Sequence, residues 1–351
     1  MPKLSHLCAV ALWICAPTVV AAAAETPSWP ATLPVYDHIV IVIEENKDFE
    51  QIFGGKFNAP YLNKLAAEGA SIGNMFGEEH YSQGNYFWLF SGSNQNVGFF
   101  DQVPSVANHA DYPFTASNLG EQLIKKGLSF KGYAESLPTI GSEAVFDPPN
   151  CRADACVYGR KHVPWISFAN LPSGTTIDTS SNLRFADFPS DYASLPTVAF
   201  VIPNLDHDMH NGEPAQSIPA GDAWLRQNLD GYYQWAKTHN SLLIVTFDEN
   251  DDKGRYIGLT NALARPSPTY PPVDEYGQLL HDLQNRIVTI FAGAHIKPGL
   301  YAEGKGVTHV NILRTIEAMY GLPKSGMQQP NAAGAGIGDE TILTDIFEPI
   351  R

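Results

Sequence analysis

Four runs of apolar, mostly β-branched residues constrain the fold more than any other feature of the chain: His38-Ile-Val-Ile-Val-Ile43, Thr197-Val-Ala-Phe-Val-Ile202, Ser241-Leu-Leu-Ile-Val-Thr246 and Arg286-Ile-Val-Thr-Ile-Phe291. Strands of this kind are apolar on both faces, so both faces need cover. Loops and helical patterns lie between them, at residues 61–68, 86–90, 119–126, 222–239 and 310–320. The alternation predicts an α/β fold with a parallel sheet covered on both sides.

Open parallel sheets bind ligands outside the carboxyl ends of their strands. After the first run stand Glu44, Glu45 and Asn46; after the second, Asn204, Asp206, His207, Asp208 and His210; after the third, Asp248, Glu249, Asn250, Asp251 and Asp252. A single acid after a strand is ordinarily a helix cap or turn former. Three such clusters at one sheet edge would repel one another unless cations or protonation offset the charge. The mixture of Asp, Glu, Asn and His suits a divalent ion such as Zn²⁺, Mn²⁺, Mg²⁺ or Ca²⁺ without selecting among them.

The first 24 residues read as a secretory signal peptide: Lys3, an apolar stretch from Leu7 to Val20, then small residues from Ala21 to Ala24. Residues 25–351 are then a single exported domain, periplasmic or extracellular, and no later segment offers the roughly 20 apolar residues of a membrane span. Outside that leader only Cys151 and Cys156 remain, a pair expected to form a local disulfide in an oxidising compartment, with two free thiols as the alternative. A formal charge of -15 argues against nucleic acid or an anionic membrane surface as partner. Any phosphate-handling site here needs local cations.

Between the first two clusters lies Glu79-His-Tyr-Ser-Gln-Gly-Asn-Tyr86, with Ser82 at the start of an apolar helix. A helix N-terminus favours an anion, so Ser82 is either a cap or a nucleophile beside a bound phosphate. A metal on its hydroxyl would lower the hydroxyl's pKa. The segment Tyr158-Gly-Arg-Lys-His-Val-Pro-Trp165 gathers cations in an acidic chain, as a solvated turn, a phosphate clamp or a general acid. His309 precedes a helix whose apolar side carries Ile312, Leu313, Ile316 and Met319.

Together these motifs resemble the phosphoesterases that include secreted acid phosphatases and phospholipases C, within the alkaline-phosphatase-like superfamily. The resemblance spans nearly the whole chain after the leader. It rests on Ile43-Glu-Glu-Asn-Lys-Asp-Phe-Glu-Gln-Ile-Phe-Gly54, Asn58-Ala-Pro-Tyr-Leu-Asn-Lys-Leu65, His80-Tyr-Ser-Gln-Gly-Asn-Tyr86, Arg160-Lys-His162, Pro203-Asn-Leu-Asp-His-Asp-Met-His210, Thr246-Phe-Asp-Glu249 and Thr308-His309. It implies a three-layer α/β/α sandwich with a mainly parallel central sheet, the region around Cys151 and Cys156 lying at the active-site rim. It also implies Glu45, Asn46, Asp248, Glu249 and Asp208 as ligands of a divalent metal ion, with Asp206 as an alternative to Asp208. Ser82 becomes the nucleophile of a phosphoserine mechanism, and His162 or His210 the acid that protonates the leaving oxygen. Lys161, Asn85 and His309 become substrate-binding. Tyr81 and Gly84 stand where the family often has proline.

The expected activity is hydrolysis of small phosphate monoesters. One alternative is a phospholipase C, for which Tyr81, Tyr86, Phe87, Trp88 and Trp165 would supply an apolar approach. Another is a non-catalytic exported protein that binds phosphate or metal.

Overall fold

A computed structural model describes residues 33–97, 101–152, 155–251, 285–304, 306–334 and 336–349. The expected signal peptide and Asp252 lie outside these residues. The described strands are β1 (His38–Glu44), β2 (Ala70–Ile72), β3 (Met75–Phe76), β4 (Phe130–Ala134), β5 (Phe146–Asp147), β6 (Tyr158–Gly159), β7 (Asn182–Arg184), β8 (Val198–Ile202), β9 (Ser241–Phe247), β10 (Arg286–Ile287), β11 (Thr289–Gly293), β12 (Gly299–Tyr301) and β13 (Val307–Thr308). The helices are α1 (Phe49–Phe53), α2 (Pro60–Glu68), α3 (Ser82–Ser91), α4 (Leu119–Lys125), α5 (Pro214–Ala236), α6 (His309–Met319) and α7 (Pro330–Gly334).

Eight of these strands form one sheet in the order β12-β2-β11-β9-β1-β8-β4-β7. The five from β9 to β7 run parallel. The sheet is therefore mainly parallel, as the apolar runs predict. β1 lies between β8 and β9, so the loops that follow these three strands emerge side by side. That adjacency is what gathers the acidic clusters.

The fourth apolar run departs from expectation. It splits at Val288 into β10, which pairs with β3 in a separate small sheet, and β11, which runs antiparallel to β9. Apolarity on both faces reports burial and says nothing about strand direction. A second difference is α5, which starts at Pro214, where the expected pattern began at Asp222. The Asp222 carboxylate accepts the Tyr61 and Leu62 amides at 3.0 and 2.8 Å, capping α2 from outside.

α3 is buried along its whole length, packed against α6 and the segment around Trp165. Its Phe87 and Phe90 join Phe114, Phe130, Phe168 and Phe200 in a network of edge and tilted ring contacts with centroids 5.3–6.0 Å apart. Trp165 closes this network over β4, with Nε1 donating to Asn182 Oδ1 at 2.9 Å. Cys151 and Cys156 are disulfide-bonded, with Cα atoms 5.2 Å apart.

A Cβ at Gly132 of β4 would lie 2.1 Å from the Trp165 ring, which Phe130 and Phe200 back from behind. Gly132→Ala should therefore lower stability by about 3 kcal/mol, the upper range for overpacking. Urea denaturation checks this, and a midpoint unchanged from wild type would refute the packing argument.

Candidate active site

The site begins with bonds donated by main-chain amides between the strand ends. Glu45 N–H donates to Asp208 O at 2.7 Å, Asp248 N–H to Glu44 O at 3.0 Å, and Asn46 N–H to Asp248 Oδ1 at 3.1 Å. Glu45, Asn46, Asp208, Asp248 and Glu249 are consequently brought together, all buried. Asp206 is placed outside: it is exposed and accepts from the Asn211 side chain at 2.8 Å.

Glu45 faces two ways. Its Oε2 accepts the Ser82 hydroxyl at 3.0 Å, and its Oε1 accepts the Tyr86 hydroxyl at 2.6 Å. Oε1 also lies 3.1 Å from His162 Nε2, whose other nitrogen is 3.8 Å from Asp208 Oδ2. Neither His162 Nε2 nor Asp208 Oδ2 makes a hydrogen bond, though both are buried. Donor atoms from Glu45, His162 and Asp208 fall within 4.8 Å of one another, a set that fits a divalent ion.

The Asn46 amide, with its nitrogen turned toward them, donates to carboxylate oxygens of Asp248, Glu45 and Glu249 at 3.1–3.3 Å.

So many carboxylates in one place shift their titration. Burial, then Glu45, push Asp208 well above the usual range, and burial with Glu45 and Glu249 does the same for Asp248. Behind them Glu44 is fully buried with neither carboxyl oxygen hydrogen-bonded; burial, Asp222 and Glu45 raise it strongly. Lys47, which the sequence reading did not single out, is a buried ammonium that donates to Asn46 O at 2.9 Å. Burial lowers its pKa against the opposing pull of Asp251, Asp208, Glu45 and Asp248. A buried lysine beside these acids is visible in sequence only once the strand end is known to be covered.

Ser82 opens α3, and the preceding Tyr81 has φ 114, a left-handed backbone held by its N–H donating to Glu249 Oε2 at 2.7 Å. His80 lies beside it, with Nε2 2.6 Å from Asn250 Oδ1 and Nδ1 3.3 Å from Glu249. Arg160 is spent on the carbonyls of Glu143 and Pro104 at 2.9 and 2.8 Å. Burial would lower Lys161, yet Asp101 at 2.8 Å, then Glu45, carry it above its usual value. His162 stacks on Tyr86 at 4.9 Å, and burial, then Lys161 and His210, hold it far below the ordinary imidazole range. The His210 ring lies 6.3 Å from His162, at the partly exposed side.

Two residues expected to bind substrate make hydrogen bonds within the protein. The Asn85 side chain clamps the Glu79 backbone, accepting from its N–H at 2.9 Å and donating to its C=O at 2.7 Å. His309 is buried with Nδ1 2.7 Å from Glu78 and Nε2 2.7 Å from Phe247 O, so both ring nitrogens are engaged within the protein. Of the aromatics considered as an apolar approach, Tyr86, Phe87, Trp88 and Trp165 are buried and Tyr81 is partly exposed.

A family model described as the Phosphoesterase family matches residues 56–323. The chain belongs to the phosphoesterase family. It is 41% identical over 298 residues to a phosphatidylinositol-3-phosphatase of Mycobacterium tuberculosis, covering 84% of this chain and 81% of that protein. A phosphate-repressible acid phosphatase of Penicillium chrysogenum is 27% identical over 300 residues, and the match spans 83% of this chain but 60% of that longer protein. In three dimensions the phosphoesterase is similar to a Vibrio parahaemolyticus protein of the alkaline phosphatase superfamily, with a TM-score of 0.53, 13% identity, and 89% and 72% of the two chains covered. That likeness fixes the fold class. The phosphoesterase is a hydrolase acting on phosphoric ester bonds.

A group whose folded pKa is raised lends stability that is complete below its unfolded value and lost as pH rises through the folded one. Asp208 and Asp248, starting from 3.8, have this sign, as do Glu44 and Glu79, the latter pushed by burial to about 7. His162, held neutral, works in the opposite direction below 6.5. The carboxyls outnumber it, so chelator-treated protein should melt at lower temperature as pH rises from about 4 toward neutrality. Added divalent ion should reverse the trend, contributing about 2.7 kcal/mol at a hundredfold excess over Kd. Thermal melts with chelator and with metal across this window check it; a chelated protein that gains stability with rising pH would contradict the assignment.

Proposed function

We propose that the protein is an exported, metal-dependent phosphatase that hydrolyses phosphate monoesters through a phosphoserine at Ser82. The observation that carries this reading is the Ser82 hydroxyl at the buried N-terminus of α3, 3.0 Å from Glu45 at the junction of the carboxylate and imidazole clusters. Glu45, Asn46, Asp208, Asp248, Glu249 and His162 are the residues that would hold divalent metal. When bound, the metal supplies positive charge that stabilises the developing negative charge on the phosphoryl group.

The chain's own residues account for the proton movements. Ser82 Oγ bonds to phosphorus as its proton moves toward Glu45, and the bond from phosphorus to the leaving oxygen breaks. His210 protonates that oxygen, because His162 is held neutral and faces Glu45 and Asp208. Water then displaces Ser82 from phosphorus, giving a proton back to His210 while Glu45 returns its proton to the Ser82 oxygen, so that phosphate is released and the hydroxyl restored. Lys161, with protons to spare beyond its bond to Asp101, holds a non-bridging oxygen.

A lipid-borne monoester is the favoured substrate class over a phospholipase C diester, since the 41%-identical relative is a phosphatidylinositol-3-phosphatase. No described helix is long and apolar enough to cross a membrane. Export is supported by the Cys151–Cys156 disulfide and the leader-like first 24 residues.

Ser82→Ala separates a nucleophile from a structural hydroxyl, since Tyr81 and not Ser82 occupies the cap position. As nucleophile its loss should cost about three or more orders of magnitude in kcat with metal content retained. As a hydroxyl that only bonds Glu45 its loss would cost about 1 kcal/mol of stability and little activity. Acid quenching of wild type during turnover should trap phosphate on the peptide containing Ser82. A chromogenic monoester, a phosphoinositide and a phosphodiester, each assayed with and without chelator, rank the substrate classes. An active Ser82→Ala variant with no trapped adduct would overturn the mechanism.

A further inference from the structure

We propose that Asn285 is a positioning residue that sets the distance between the nucleophile loop, residues 77–82, and the carboxylate loop, residues 248–250. The proposal rests on the assignment of Ser82, Asp248 and Glu249 above.

Asn285 belongs to neither loop, yet its fully buried side chain bonds to both. Its Nδ2 donates to Glu79 O at 2.7 Å, and its Oδ1 accepts the Asn250 N–H at 2.8 Å. Its own carbonyl accepts the Gly77 N–H at 2.9 Å. Three bonds thus fix one residue whose φ of 63 is left-handed, a conformation asparagine tolerates better than most side chains do.

The spacing is tight. A Cβ on Gly77 would meet Asn285 Nδ2 at 2.6 Å and Asp248 O at 2.7 Å, so the two loops close directly around this amide. On one side, the Asn85 clamp makes Glu79 and the start of α3 a single unit that carries Ser82. On the other, Asn250 directly follows Glu249, whose carboxylate holds the strained Tyr81 amide. Asn285 is therefore a bridge between the atom that attacks and the groups that hold charge. A misplacement of about 1 Å in such an arrangement can cost about a hundredfold in rate.

Two variants test this. Asn285→Gly keeps the left-handed backbone and removes the bridge. Asn285→Asp is nearly isosteric and keeps the acceptor for Asn250, but turns an acceptor toward Glu79 O. Each is measured for kcat, KM, bound metal, melting temperature and acid-trapped phosphoserine, with a chromogenic monoester and beside wild type and Ser82→Ala. The expected result is a kcat reduced about 10- to 100-fold, KM within about threefold of wild type, metal retained, and phosphoserine forming more slowly. Should Asn285→Gly fail to fold, Asn285→Asp decides. Wild-type kcat in a folded variant, or loss of kcat in proportion to lost metal, would overturn the positioning role. An active Ser82→Ala instead defeats the parent mechanism whatever Asn285 does. An inactive Ser82→Ala with a fully active Asn285→Gly defeats the positioning proposal alone.

Discussion

The confinement of negative charge at the carboxyl end of β1 governs this structure. β1 is central and fully covered, so Glu45 cannot turn to solvent, and the neighbouring strands β8 and β9 deliver Asp208 and Asp248 to the same place. Burial limits how far bulk water can screen these groups. Carboxylates so placed must share protons, meet a cation or face hydrogen-bond donors. All three solutions are visible: raised pKa values at Asp208 and Asp248, the buried ammonium of Lys47, and the hydroxyls of Ser82 and Tyr86 on Glu45. The orphaned atoms of His162 and Asp208 mark where those solutions are incomplete, and a divalent ion fits there.

Much of the frame was legible because burial leaves a compositional trace. Continuous apolar runs identified β1, β8 and β9, and the rule that ligands gather beyond strand ends located the clusters. Direction and pairing leave no such trace. The run ending in Phe291 is buried as its apolarity predicts, but its reversal against β9 leaves no mark in composition. Short strands such as β2, β7 and β12, three residues each, carry too little periodicity to register.

The acidic clusters proposed as ligands were legible in the sequence, and their supports less so. Acids after strands are conspicuous because they are chemically expensive to gather. Asn85 and His309 were conspicuous for the same reason, but polarity at an active site does not distinguish a residue that touches substrate from one that holds the loop that does. Asn85 closes on Glu79, and His309 ties the start of α6 to Glu78 and to the end of β9. These roles require knowing which backbone atoms come within 3 Å, which pattern alone does not supply. Lys47 and Asn285 escaped notice because neither residue type is unusual for its local sequence.

That division between ligands and supports explains why α3 can be polar at its start and yet buried throughout. A buried helix N-terminus leaves amide groups that need partners. Here Glu79, Glu249 and Asn85 bond around the turn before it, while the ring network of Phe87 and Phe90 holds its remaining length. The helix is anchored by apolar packing and aimed by polar bonds. These bonds hold the Ser82 hydroxyl at Glu45, so that under the proposed mechanism little reorganisation would remain for the reaction to supply.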